Sequence, residues 1–332
     1  MRAPNFWSNP RPDWRAHLLS PLGALYAGAT ARRLARGTRA KLPVPVICVG
    51  NINAGGTGKT PTAIAVAERL RDQFQTPHIV SRGYGGSEIG PIEVDPARHR
   101  AHHVGDEPLL LSAFATTWVA RDRAAGARAA IAAGATAIIL DDGFQNPSLA
   151  HDLSIVVVDA ETGFGNGKCL PAGPLREPVA TGLARADLLV SIGSDAAQSG
   201  FDTRQLPQGL LHLRATLVPL QTGMTWTNMP LIAFAGIGRP EKFFATLREL
   251  GANILRTEAL GDHEALTAAF MTRLEREARG TGAQLVTTEK DAARLPPAFR
   301  HKVITLPVRL QFEDPEALAS KLKALFDQPQ SA

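Results

Sequence analysis

Short runs of aliphatic and β-branched residues alternate with longer alanine-rich stretches along most of the chain. Runs at 44–49, 78–81, 117–120, 137–140, 154–159 and 188–191 predict strands, and intervening segments such as 62–72 and 123–133 predict helices. Consecutive parallel strands need a crossover between them. The pattern therefore reads as an α/β layer, a mainly parallel sheet with helices on both faces. A second, shorter series at 231–235, 254–257, 285–288 and 303–306 repeats the alternation. Residues 193–229 between the two series mix polar, Gly and Pro positions around an extended run at 210–220, and the junction is expected there. The expected division is an arm at 1–42 attached to a first unit at 43–209, then a smaller α/β unit at 210–332 that includes the extended run.

The arm has a pattern of its own. No Asp, Glu, Lys or Arg occurs from Ala16 to Ala31, and Trp14, Leu18, Leu22, Leu25 and Ala29 recur at the spacing of one helical face. The stretch is shorter than the roughly 18 to 20 apolar residues of a spanning helix and contains Pro21, Gly23 and Gly28. Arg32, Arg33, Arg36, Arg39 and Lys41 follow at once. An apolar face beside a cationic flank suits a helix lying in the headgroup layer of an anionic membrane, so residues 14–41 are expected to make that contact. The same pattern also fits a helix packed on the protein's own core.

Charge changes the picture by position. Residues 1–60 hold nine Lys and Arg against a single acid, Asp13, whereas the rest of the 332-residue chain holds 27 basic and 30 acidic residues. The basic pI therefore belongs to the arm and does not mark a nucleic-acid-binding surface. A hydrophobic share of 44% against 20% charged supports a packed core. The two cysteines, Cys48 and Cys169, have no metal-ligand spacing, which excludes a disulfide framework and fits a reducing compartment.

The first predicted strand runs directly into Gly50-Asn51-Ile52-Asn53-Ala54-Gly55-Gly56-Thr57-Gly58-Lys59-Thr60-Pro61 and then a helix. Such a glycine-rich turn points consecutive backbone N–H groups at an anion, and the helix N-terminus adds partial positive charge. This is a variant phosphate loop of the P-loop NTPase type, with Asn53 where the strict pattern has Gly. Residues 53–61 are expected to hold a nucleotide, with Lys59 reaching the β- and γ-phosphates and Thr60 on the accompanying Mg2+. Asp141 and Asp142 close the predicted strand at 137–140, where ligands bind at the carboxyl edge of an open sheet, and are further metal candidates. Spacing does not rank them. Asp106 opens a helical run after Gly105, as a cap or as a base for an acceptor hydroxyl; His263 opens another helix in the second unit.

Together these motifs resemble the tetraacyldisaccharide 4'-kinase family of lipid A assembly over nearly the whole chain. The resemblance rests on the phosphate loop, Ser81-Arg82-Gly83-Tyr84-Gly85, Gly105-Asp106-Glu107-Pro108 and Asp141-Asp142-Gly143-Phe144-Gln145. It extends through Phe164-Gly165-Asn166-Gly167, Leu170-Pro171-Ala172-Gly173-Pro174-Leu175-Arg176-Glu177-Pro178, Asp262-His263 and Thr288-Glu289-Lys290-Asp291. It implies two α/β/α domains joined by a β-stranded hinge. The implied reaction moves the ATP γ-phosphoryl group, with Mg2+, to the 4'-hydroxyl of a tetraacylated disaccharide 1-phosphate. The implied site is the cytoplasmic face of the bacterial inner membrane, where the protein is peripheral and needs no obligatory protein partner and no nucleic acid. By the same resemblance Asp106 is the catalytic carboxylate paired with His263, and Arg123, Arg176 and Glu177 stand near the reacting groups. Asn146 and Glu264 depart from the family's usual residues. With catalytic groups drawn from both units, closure on substrate is expected. The rival from another class is a nucleotide-driven switch acting on a protein partner.

Overall fold

The computed structural model describes residues 4–261 and 264–327. Its strands are β1 (Val46–Gly50), β2 (Pro77–Ser81), β3 (Ile92–Glu93), β4 (Thr117–Val119), β5 (Ala137–Asp141), β6 (Leu153–Asp159), β7 (Leu188–Ile192), β8 (Leu211–Pro219), β9 (Pro230–Ala235), β10 (Asn253–Ala259), β11 (Gln284–Thr288), β12 (Val303–Leu306) and β13 (Val308–Phe312). The helices are α1 (Trp14–Arg36), α2 (Lys59–Asp72), α3 (Ala101–Val104), α4 (Asp106–Leu111), α5 (Arg123–Ala132), α6 (Val179–Leu183), α7 (Asp195–Gly200), α8 (Pro240–Glu249), α9 (Ala268–Thr281), α10 (Glu289–Ala293) and α11 (Pro315–Asp327).

A nine-stranded sheet runs β13-β8-β7-β6-β1-β5-β2-β4-β3, parallel except for its two edge strands, and a four-stranded parallel sheet runs β10-β9-β11-β12. Side chains on β1 alternate: Ile47 and Val49 face the cluster containing α2 and α11, while Val46 and Cys48 face the one containing α5. Strands covered on both faces read as unbroken apolar runs, which is why their existence was legible in the sequence. A boundary at 209/210 would assign β8, β13 and α11 to the small unit, but hydrogen bonding and packing join them to the large one. β13 pairs with β8, and Leu318 and Leu322 of α11 are buried in the large core. The chain thus leaves for the small sheet after β8 and returns at β13.

Helix α1 begins where the Asp13 carboxylate accepts the N–H groups of Arg15 and Ala16. Its small-residue side packs on the body: Ala16, Gly23 and Thr30 are buried, and a Cβ at Gly23 would lie 2.9 Å from the Cys169 carbonyl oxygen. The larger apolar residues point away. Trp14, Leu18, Leu22 and Leu25 are between 53% and 70% exposed, so the stripe read from the sequence is not packed on the core. Among the described residues no helix is long and apolar enough to cross a membrane. The turn before α1 is held by the two most distinctive motifs. Asn166 donates its backbone N–H to Trp7 O and its side-chain amide to Ala172 O, and the Trp7 indole donates to Pro171 O.

Candidate active site

The phosphate loop joins β1 to α2 at the carboxyl edge of the large sheet. Gly55 and Gly58 adopt φ of +122° and +98°, a region that favours glycine, and Gly58 caps α2 with no side chain. The first N–H groups of α2 therefore face outward without a side-chain acceptor. A Cβ at Gly55 or Gly56 would meet nothing within 4 Å, so the glycine turn before α2 is uncrowded at those two positions. The Asn51 side-chain amide braces the loop from inside, donating to Gly55 O and to the Thr57 hydroxyl. Asn53, where the strict pattern has Gly, has no left-handed φ to accommodate. It donates instead to Gly163 O at 3.0 Å.

Lys59 is the first residue of α2, and its ammonium lies 3.7 Å from the Asp142 carboxylate. Asp142 is held by Arg176, whose guanidinium donates to both carboxylate oxygens, at 3.0 and 3.3 Å, and to the Gln145 side-chain carbonyl at 3.2 Å. Asp141, one residue back, is buried and accepts the Ser81 hydroxyl at 3.0 Å. Asp106 is buried at the start of α4, where its carboxylate accepts the N–H of Glu107. These carboxylates, the phosphate loop and the start of α4 share one edge of the sheet.

Two predicted residues are buried. Arg123 is buried under the site, donating to the backbone oxygens of Ala120 and Asp141. Glu177 is 2% exposed and accepts from Arg185, at 2.6 and 2.8 Å, and from Gln145 at 3.0 Å. Gln145 in turn donates to Asn51 O, so Glu177 reaches the loop through an intermediary. His263 and its neighbour Asp262 lie outside the described residues. The two departures from the motif pattern have local roles. Asn146 closes a turn by accepting from Ser148 N–H, and the Glu264 carboxylate accepts from Gly261 N–H. The sequence did not single out Arg239, Lys242, Asp159 and Glu161, which meet beside the phosphate loop. A 540 Å³ groove between α2 and β13, lined by Glu68, Arg71, Leu310 and Phe312, has none of these residues.

Compared with known proteins, residues 15–327 match the family model of tetraacyldisaccharide-1-P 4'-kinase. The tetraacyldisaccharide 4'-kinase of Dinoroseobacter shibae is 61% identical over 331 residues, 98% of each chain. That of a Jannaschia species is 61% identical over 317 residues, 95% of this chain and 96% of its own. The chain belongs to the tetraacyldisaccharide 4'-kinase family. A solved member from Aquifex aeolicus, crystallised in complex with ATP, superposes with a TM-score of 0.75 at 26% identity, covering 94% of this chain and 99% of that one.

A kinase of this family must hold a polyphosphate, and the electrostatics of the site suit one. Burial raises Asp141 to about 7, with the charges of Glu107 and Asp142 adding to the rise. Burial alone would raise Asp142 too. The charges of Lys59 and Arg176, with the Arg176 hydrogen bond, outweigh it and hold that carboxyl below its ordinary value. Burial lowers Arg123, partly offset by the charges of Asp141 and Asp142. The donor set therefore fits a nucleotide with its magnesium: open amides and a lysine for phosphate, hydroxyl and carboxylate oxygens for a hard cation.

Proposed function

We infer that the chain is an ATP-dependent kinase that transfers the γ-phosphoryl group to the 4'-hydroxyl of a tetraacylated glucosamine disaccharide 1-phosphate. The observation that carries this reading is the convergence of three separated motifs. Lys59 of the phosphate loop faces Asp142 of the second, and Arg176 of the third donates to both oxygens of that same carboxylate.

In this reading the loop amides of residues 55–58 and the Lys59 ammonium hold the β- and γ-phosphates, while the Ala54 N–H anchors the loop by donating to Pro174 O. Thr60, Asp141 and Asp142 would hold Mg2+, which neutralises charge on the phosphates. Asp106, with His263, accepts the proton of the sugar hydroxyl. Phosphoryl transfer passes through a loose transition state, so positioning and charge neutralisation outweigh the strength of the base. Arg176 aligns Asp142, while Arg123 and Glu177 position the elements around it: Arg123 ties the end of β5 to Ala120, and Glu177 holds Gln145 against the loop.

The exposed stripe of α1 deepens the reading. Four acyl chains keep the acceptor in a bilayer, so the enzyme must come to its headgroup. Trp14, Leu18, Leu22 and Leu25 project from a helix whose following turns carry Arg32, Arg33 and Arg36, the arrangement of an interfacial anchor on an anionic leaflet. The protein is then peripheral at the cytoplasmic face of the inner membrane. Incubation with γ-labelled ATP and lipid extract tests the activity. A kinase leaves label in an organic-soluble product, whereas a nucleotide switch releases only inorganic phosphate.

A further inference from the structure

Four charged side chains outside every motif bridge the two sheets at the rim of the phosphate loop. Asp159 ends β6, the strand beside β1, and its carboxylate lies 2.6 Å from the Lys242 ammonium and 3.2 Å from the Arg239 guanidinium. Glu161 meets the same two cations at 3.3 and 2.7 Å. Both cations come from the small sheet, at the start of α8. The residue before Arg239 touches the loop itself: a Cβ on Gly238 would sit 3.7 Å from the Gly56 nitrogen. The carboxylate side is tied to the loop as well, because Gly163, just beyond Glu161, accepts the Asn53 amide.

As glue between layers this bridge is poor. The side chains of Arg239, Lys242 and Glu161 are 35%, 42% and 52% exposed and only that of Asp159, at 12%, is sheltered, so three of the four ends stand in water, where ion pairs contribute little to stability. Such pairs are correspondingly cheap to exchange. A polyphosphate on the loop amides would compete for the same two cations, and arginine binds phosphate through strong, forked, charge-assisted hydrogen bonds.

We propose that Arg239 and Lys242 are nucleotide-binding cations supplied by the small sheet, parked on Asp159 and Glu161 and exchanged onto the phosphates when nucleotide enters the loop. The proposal rests on the kinase reading and adds two residues to it. The exchange leaves the two cations facing the phosphates and returns Glu161 to water, while the buried Asp159 keeps the N–H groups of Glu161 and Thr162 that it already accepts. It also draws α8 toward the loop, so nucleotide binding itself favours closure of the small sheet over the site.

The test measures the dissociation constant of a fluorescent ATP analogue with Mg2+, without lipid, on the full chain. Arg239→Ala and Lys242→Ala should each weaken binding by about ten-fold or more. Asp159→Asn and Glu161→Gln remove the competing charge but keep an acceptor oxygen, and each should tighten binding by about three-fold or more. The opposite signs matter, because a bridge that merely holds the layers together would be loosened from either side with the same result. Unchanged affinity in both cation variants, or wild-type or weaker affinity in both carboxylate variants, overturns the proposal. Glu161 is the more exposed carboxylate, so its variant decides the case if Asp159→Asn does not fold. Failure of the unaltered protein to bind the analogue, or binding unaffected by Lys59→Ala, would instead defeat the kinase reading beneath it.

Discussion

The Lys290 ammonium, on α10 of the small sheet, lies 3.3 Å from the carboxylate of Glu107, the residue that follows Asp106 on α4. The Thr-Glu-Lys-Asp motif thereby touches the element that carries the proposed base. Around it, Thr288 caps α10 by accepting from Asp291 N–H, and Glu289 accepts from Arg309 on β13, so the lysine stands on a braced support. Lys290→Ala should lower kcat about ten-fold while leaving nucleotide affinity near its original value, with Lys290→Arg recovering most of the loss. Steady-state kinetics with separate nucleotide binding check this. An equal loss in nucleotide binding would remove the positioning role.

Lys59→Ala should be the severest single loss at the phosphate loop, with turnover reduced on the order of 10²- to 10³-fold, since the ammonium neutralises charge where it develops. The organic-soluble label from γ-labelled ATP measures it directly. Near-normal turnover would mean that the phosphate loop is not the reacting site.

Glu177 should behave as a structural residue. Removing it as Glu177→Ala leaves Arg185 stacked on Phe144, 4.4 Å from the ring centroid, without its carboxylate partner, and also releases Gln145. The expected loss is about 3 kcal/mol of folding stability. Urea unfolding gives the loss, and activity per folded molecule should fall by less than stability does. Wild-type stability with abolished turnover would place Glu177 among the reacting groups.

On α1, the pair Leu18→Glu and Leu25→Glu places charge on the outward face without touching the side that packs on the body. Sedimentation with vesicles of anionic phospholipid should fall about ten-fold or more, because two exposed apolar anchors are lost and like charge is introduced. Binding of a fluorescent ATP analogue should be unchanged. Full sedimentation of the double variant would deny the helix its membrane role.

His151 predicts a pH dependence of stability. Burial lowers its imidazole to about 4, with the charges of Arg39 and Arg185 adding to the effect, and its Nε2 is shielded from water with no hydrogen-bond partner among the described residues. In the unfolded chain the same group titrates near 6.5. Between those values the unfolded state binds a proton that the folded state refuses. The contribution is therefore intact above pH 6.5 and is lost as pH falls toward 4. The urea midpoint should drop through that window, and His151→Gln should flatten the drop. An identical profile in the variant would assign the acid sensitivity to other groups.

The sequence by itself determined the parts of this protein that are local. The strand, glycine turn and lysine at 46–60 lie in one contiguous stretch, and their backbone chemistry dictates a phosphate cradle whatever surrounds them. The strands buried on both faces announced themselves as unbroken apolar runs, and the charge-free stripe of α1 by its helical period. Tertiary structure alone decided that the stripe faces outward, because a period identifies a face and not its partner. It also decided that β13 and α11 return to the large sheet, that Glu177 lies under the site, and that Arg239 meets Asp159 across 80 positions. Such pairings leave no period or spacing in the chain. They arise only when the folded chain brings segments far apart in sequence side by side, within one sheet for β13 and at the seam between the two sheets for Arg239.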